Sequence, residues 1–309
     1  MNASVLEARR SAADAAAKPQ GGSTAFAPCN FERKETKYLL TPEQYRQFRE
    51  LVGGLLADDE YPRSIISSLY YDTPEDRLIN RSMEKPRYKE KLRIRAYGCA
   101  NASQPVYVEL KKKFKGIVYK RRVAMSMPAA YAFMDGMPYR EVVERFPLAD
   151  PAMQADAFSF KSMQIASEIA FTRDRYPDLR PAMMIVTNRL ALRSTEGSDV
   201  RVTFDLNPVW RDTELGFGYG FDGTPIHADG RVIMEIKCLG AYPLWLVDAL
   251  SQCKVYPQSS SKYGKAYCAA HPAQPPAAAL AAHGFRVKHA AKRGAARTLF
   301  HFAAKRKTA

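Results

Sequence analysis

In an extended strand alternate side chains share a face, so Tyr88 to Arg95, YKEKLRIR, sends Lys89, Lys91, Arg93 and Arg95 one way and Leu92 and Ile94 the other. A face built only of cations repels itself. VYVELKKKFK at Val106 to Lys115 and VYKRR at Val118 to Arg122 repeat the stripe, so the opposing charge is expected to arrive as a ligand, a polyanion. One stripe alone also fits an ordinary solvated face, with Lys and Arg stems covering apolar neighbours.

The same parity extends along the chain. Arg33, Glu35 and Lys37 share one side of a first strand; Glu109, Lys111 and Lys113 align in a later one, and Lys120 pairs in parity with Arg122. Arg189 and Arg193, then Arg201, Thr203 and Asp205, then Glu235 and Lys237 follow on three more. Several of these strands are apolar on the opposite side, as with Val106, Val108 and Leu110. Arginine offers planar forks matched to phosphate oxygens and lysine a compact point charge, so a mixed lining suits a row of phosphates. Acids in such a lining are costly unless paired or metal-bound. Glu235 is the candidate ligand for Mg²⁺ or Mn²⁺, which on a polyphosphate takes one or two carboxylates plus phosphate oxygens; its other reading is a salt bridge with a neighbouring arginine.

The elements that must position these residues follow from pattern and punctuation. FERKETKYLL reads as a strand, and Thr41-Pro42-Glu43 opens a helix expected to run to about Leu56. IISSLYYDT is a strand ended by Pro74, and Gly116 turns the second basic strand into the third. Residues 128–176 change to helical spacing and predict a helical insertion. Strands return after Pro181, with Gly197 and Ser198 making a hairpin, and short helices are expected near Pro243 and over Ser259 to Tyr267. About eight strands on short connections predict an α+β fold, a closed, tunnel-like barrel of antiparallel strands lined by basic residues with helices packed outside.

Composition bounds the rest. The chain of 309 residues is 46% hydrophobic and 26% charged, ample for a core, and the segment 28–271 is expected to form a single domain. The formal charge is +15, but residues 272–309 hold eight Lys or Arg and no acid, leaving +7 for the remainder. Residues 1–27 and the basic tail 272–309 have the composition of disordered segments. The tail could guide a polyanion, touch an anionic membrane, or simply be solvated. Five cysteines show no zinc-like spacing and an odd count, which favours a reducing compartment. With no membrane-length apolar run and no secretory signal, a cytoplasmic protein is expected. A membrane-bound partner stays open.

FERKETKYLL, SLYYDTP, KLRIRAYG, VYVELKKK, TNRLALR, VRVTFD, MEIKCLG and SKYGKAY, in this order, resemble the VTC domain, the polyphosphate polymerase branch of the triphosphate tunnel (CYTH-like) superfamily. The resemblance spans Phe31 to Tyr267. It implies metal-dependent synthesis of polyphosphate from ATP. By motif it makes Lys37, Arg93, Arg95, Lys111 and Lys262 catalytic and Glu235 the metal ligand, and it places Arg189 and Arg201 on phosphate. Arg33, Lys91, Lys113, Lys120 and Arg122 are the further substrate-binding candidates, with Arg121 replacing Lys120 if the register slips by one. Hydrolytic tunnel enzymes carry ExExK on the first strand, where this chain has Arg33-x-Glu35-x-Lys37, which disfavours a two-metal triphosphatase. That hydrolase and a non-enzymatic polyphosphate-binding module are the competing readings. A nucleic-acid partner is disfavoured, because the aromatic and basic interleaving of single-strand binders is missing.

Overall fold

The computed structural model describes residues 34–98 and 104–272. Arg33, the segment 1–27 and nearly all of the basic tail lie outside the described residues. Strand β1 (Lys34–Leu40) leads into helix α1 (Pro42–Leu51). There Thr41 Oγ1 accepts the Gln44 backbone N–H at 3.1 Å and Gln44 Oε1 accepts that of Thr41 at 3.0 Å, a capping box with proline in the first turn. The helix stops at Leu51 rather than near Leu56, because Gly53 and Gly54 follow and Leu56 already belongs to β2 (Leu56–Asp72).

Helix α2 (Arg77–Met83) precedes three strands, β3 (Tyr88–Tyr97), β4 (Val106–Phe114) and β5 (Ile117–Met125). The β4–β5 loop is two residues, Lys115 and Gly116, both at positive φ (46° and 92°), the backbone that a tight hairpin requires. Four helices follow: α3 (Met127–Met134), α4 (Tyr139–Arg145), α5 (Pro151–Ala157) and α6 (Phe160–Asp174). Strands β6 (Arg180–Ser194), β7 (Arg201–Arg211), β8 (Thr224–Pro225) and β9 (Val232–Cys238) come next, then helices α7 (Leu244–Gln252) and α8 (Lys262–Ala270).

All named pairings are antiparallel, in the order β1-β9-β7-β6-β2-β3-β4-β5, with β8 beside β7. Of the expected closed barrel the antiparallel sheet is present, and among the described residues no hydrogen bonds join β1 to β5, its two end strands. The cause is local. Gln258 donates its backbone N–H to the Lys37 carbonyl at 2.7 Å and Pro257 bridges Tyr38, so the outer edge of β1 is taken by the segment between α7 and α8. The sheet still curls, since Lys37 and Glu35 on β1 act electrostatically on Lys111 of β4.

Helices cover the apolar face in two places. Leu92, Ile94, Val108 and Leu110 pack with Phe133 and Ile169 of the central helices, while Tyr38, Val202, Phe204 and Ile236 pack with Phe48 and Leu246. Each such fully buried side chain contributes about 1.5–3 kcal/mol. A third cluster lies on the opposite, polar face: α8 sets Tyr263 and Tyr267 against Tyr70, Met183, Ile185 and Trp210 and caps that face at one end. No helix among the described residues is long and apolar enough to cross a membrane.

Candidate functional site

Strand register decides what meets on the polar face. Lys37 lies directly opposite Glu235, Arg189 opposite Asp205, Arg93 opposite Glu109, and Lys111 between Lys91 and Lys120. Each of these three carboxylates is thereby set beside a cation, and all are nearly inaccessible: Asp205 at 0%, Glu109 at 1% and Glu235 at 7% exposure.

The first cluster is centred on Glu109. Arg93 reaches its Oε2 through Nε at 2.8 Å and Nη2 at 2.6 Å, and donates from Nη1 to the Tyr70 hydroxyl at 2.8 Å. Arg95 stands 3.7 Å from the same oxygen and Lys120 pairs with Oε1 at 2.9 Å. Burial alone would raise the Glu109 carboxyl, but Arg93, Arg95 and Lys120 outweigh it and hold it down to about 2. Arg121 points to the other face, where it and Lys112 pair with Glu168 of α6, so the register puts Lys120 on the polar side.

The second cluster joins Asp205 and Glu235. Arg189 grips Asp205 through two bonds of 2.6 and 2.8 Å, and its Nη2 lies 3.8 Å from Glu235 Oε2. Lys262, the first residue of α8, also donates to Asp205. Lys37 donates to Glu235 and stands 3.3 Å from Glu35 Oε1. Against the cost of burial, Lys37, Lys262 and Arg189 hold Glu235 well below the usual carboxylate range.

Lys91 and Lys111 are different. They face each other across β3 and β4, and among the described residues neither makes an ion pair. Lys91 donates to the Ser261 hydroxyl at 2.9 Å and lies over the Tyr263 ring. Burial, with Lys111, Lys89 and Arg93 nearby and only Tyr70 opposing, brings the Lys91 ammonium down to about 8. Lys111 is lowered by burial and by Lys37. Of the remaining candidates, Lys113 is exposed opposite Lys89, and Arg122 covers the Tyr107 ring at 4.7 Å. Arg201 is half-exposed and paired with Asp59 at 2.9 Å.

Sequence parity found the cations but gave Glu109, Asp205, Tyr70 and Tyr263 no role at the site. Tyr70 both stacks on Tyr263 at 4.5 Å and orients Arg93. Beneath them Asp72 is fully buried and accepts the Tyr263 hydroxyl at 2.9 Å plus the backbone N–H groups of Thr73, Leu78 and Ile79. The signal was the SLYYD parity itself, which puts Ser68, Tyr70 and Asp72 on one side.

A divalent cation finds a partial site. Among the described residues no three His, Cys, Asp or Glu side chains gather as ligands. Yet the Lys37 ammonium already sits between Glu35 and Glu235, a position for positive charge with two carboxylates. That donor set fits one Mg²⁺ or Mn²⁺ whose other ligands are phosphate oxygens and water. Chemically, eight cations converge with four carboxylates, counting Lys37, Lys91, Arg93, Arg95, Lys111, Lys120, Arg189 and Lys262 against Glu35, Glu109, Asp205 and Glu235. The surplus is positive and concentrated at the two unpaired lysines. Such a surplus of charge suits a multiply charged anion.

A family model, the VTC domain, matches residues 32–271. No curated protein matches the sequence. Among solved structures, the putative adenylyl cyclase HpAC1 from Hippeastrum, described as having a dominant triphosphatase activity, is 15% identical with a TM-score of 0.43, covering 77% of this chain and 96% of that one. A putative adenylate cyclase from Bacillus halodurans is 13% identical with a TM-score of 0.40, covering 74% and 93%. A third, from Vibrio parahaemolyticus, is 10% identical with a TM-score of 0.36, covering 75% and 96%. Resemblances of this size carry no inference about activity.

Proposed function

The chain belongs to the VTC domain family, and from that premise we propose that it is a polyphosphate polymerase of the cytoplasm, moving the terminal phosphoryl group of ATP onto a phosphate chain. The observation that supports this reading best is the joining of a surplus of phosphate-binding cations to a buried carboxylate, Glu235, at one place on the polar face. Cations alone would bind. A carboxylate that can exchange its lysine for a metal supplies the means to transfer.

Phosphoryl transfer needs alignment and charge neutralisation more than covalent chemistry. In this scheme Arg93 and Arg95, held in place by Glu109, and Arg189, held by Asp205, present fixed forks to phosphate oxygens. Lys91 and Lys111 supply charge not already spent on an acid. A terminal oxygen of the acceptor chain forms the new O–P bond to the γ-phosphorus as the bond to the β–γ bridging oxygen breaks and ADP leaves. The attacking oxygen is ionised at neutral pH, so no general base is required. Glu235, with Glu35 beside Lys37, would hold Mn²⁺ or Mg²⁺, which when bound neutralises charge on the transferred group. Lys37 and Lys262 stand where they can follow that charge.

One observation favours a second reading, a non-enzymatic polyphosphate-binding module: Glu235 is already satisfied by Lys37 and needs no metal to be stable. Incubating the purified protein with ATP and Mn²⁺ or Mg²⁺ and separating products on a gel decides between them. Metal-dependent long-chain phosphate is expected, and Glu235→Gln should lower its rate about a hundredfold. Unchanged chain growth in that variant would refute the metal role, orthophosphate release without growth would indicate a hydrolase, and binding with no turnover would leave the module.

A further inference from the structure

The lysine pair Lys91–Lys111 is not the last rung of its kind. Two residues further along the same strands and on the same face, Lys89 lies directly opposite Lys113. Residues two apart in a strand are separated by about 7 Å, so the rungs form one continuous track. Lys85, at positive φ before β3, is near enough to Lys89 for the two charges to repel. Among the described residues Lys89 has one polar contact, to the Ser82 carbonyl at 3.1 Å, and none of Lys85, Lys89 and Lys113 makes an ion pair.

Glu84, beside Lys85, is exposed, and the two acids on the neighbouring elements are committed elsewhere. Glu90 faces away and accepts from Arg175, from the Tyr88 hydroxyl at 2.6 Å and from the Tyr176 hydroxyl at 2.9 Å. Glu168 is held by Lys112 and Arg121. Like charges directly opposite on a sheet destabilise it, and here two such pairs follow in succession. Elsewhere on this face the cations are set around carboxylates. The geometry points to Lys85, Lys89 and Lys113 as a separate anion site, a collar beyond the reacting groups that holds the remote portion of a phosphate chain. This rests on the phosphate-chain reading above and adds the residues that distinguish a long chain from a short one.

The test compares wild type with the charge-neutral variant Lys85→Asn/Lys89→Gln, in which Asn tolerates the left-handed backbone at position 85. Calorimetric affinities are measured for tripolyphosphate and for long-chain polyphosphate, with the thermal midpoint of the free protein as a folding control. Wild type should prefer the long chain. The variant should lose about tenfold on that ligand, stay within about twofold on tripolyphosphate, and melt no lower than wild type. An unchanged preference, an equal loss on both ligands, or a lowered midpoint with weakened binding of both would overturn the collar. A wild type that binds tripolyphosphate but favours no chain length would also overturn the collar and leave the site reading standing. A wild type that binds neither would overturn the site reading itself.

Discussion

At Lys91 the ammonium titrates near 8 instead of near 10.5, because it is buried among cations with no carboxylate partner. Tyr70, which burial would raise, is brought to about 8 by Arg93, Lys91 and Arg95. Raising the pH from 7 to 9 therefore removes a positive charge and adds a negative one beside Arg93. Affinity for tripolyphosphate should fall several-fold over that interval, and Lys91→Arg, which cannot deprotonate there, should flatten the part due to residue 91. Stability moves the other way. The unfolded chain holds both protons longer, so above pH 8, and up to the ordinary values near 10, the free protein should gain stability as these groups titrate. Denaturant midpoints across pH 7 to 10 check the sign. At this scale the sequence was informative about charge and silent about pairing. Alternation told that Arg93 and Arg95 share a side and left Lys120 or Arg121 to join them, but which acid they surround depends on the β3–β4–β5 register that puts Glu109 between them.

Helix α8 shows how an element aims a residue. Ser261 caps it by accepting the Gly264 N–H at 3.1 Å, which places Lys262 at its first position beside Asp205 and turns Tyr263 inward to Asp72. A Cβ at Gly264 would come within 2.9 Å of Met83 Sδ on α2, so that thioether would have to shift to admit one. Tyr263→Phe keeps the ring stack on Tyr70 and deletes only the hydroxyl, so it should cost about 1–2 kcal/mol in denaturant unfolding. A larger loss, near that of a buried aromatic truncation, would mean the bond to Asp72 orders the whole helix. The short helix expected over Ser259 to Tyr267 forms three residues later, over Lys262–Ala270, with Ser261 as its cap. Its docking on the polar face was not legible, because Tyr70, Met183 and Ile185 look like ordinary strand apolar residues until the bulge-containing β2–β6 pairing assembles them.

For the molecule as a whole, strand count, antiparallel order and charged parity were all written in local patterns. Closure was not. Which segment lies along the edge of β1 is a long-range matter, and Pro257 and Gln258, distant in sequence, take that place. The β5 end is left with Ile117 to Arg122 exposed along a margin that is unpaired among the described residues, and Ile117, Val118 and Tyr119 are followed directly by Lys120, Arg121 and Arg122. Positive charge on such a margin keeps one molecule from extending its sheet onto another. The same charges attract phosphate, so solubility and ligand concentration are opposed. Near charge equivalence with long-chain polyphosphate, at low salt, light scattering should rise, and Val118→Glu should suppress it by carrying a charge that phosphate does not neutralise.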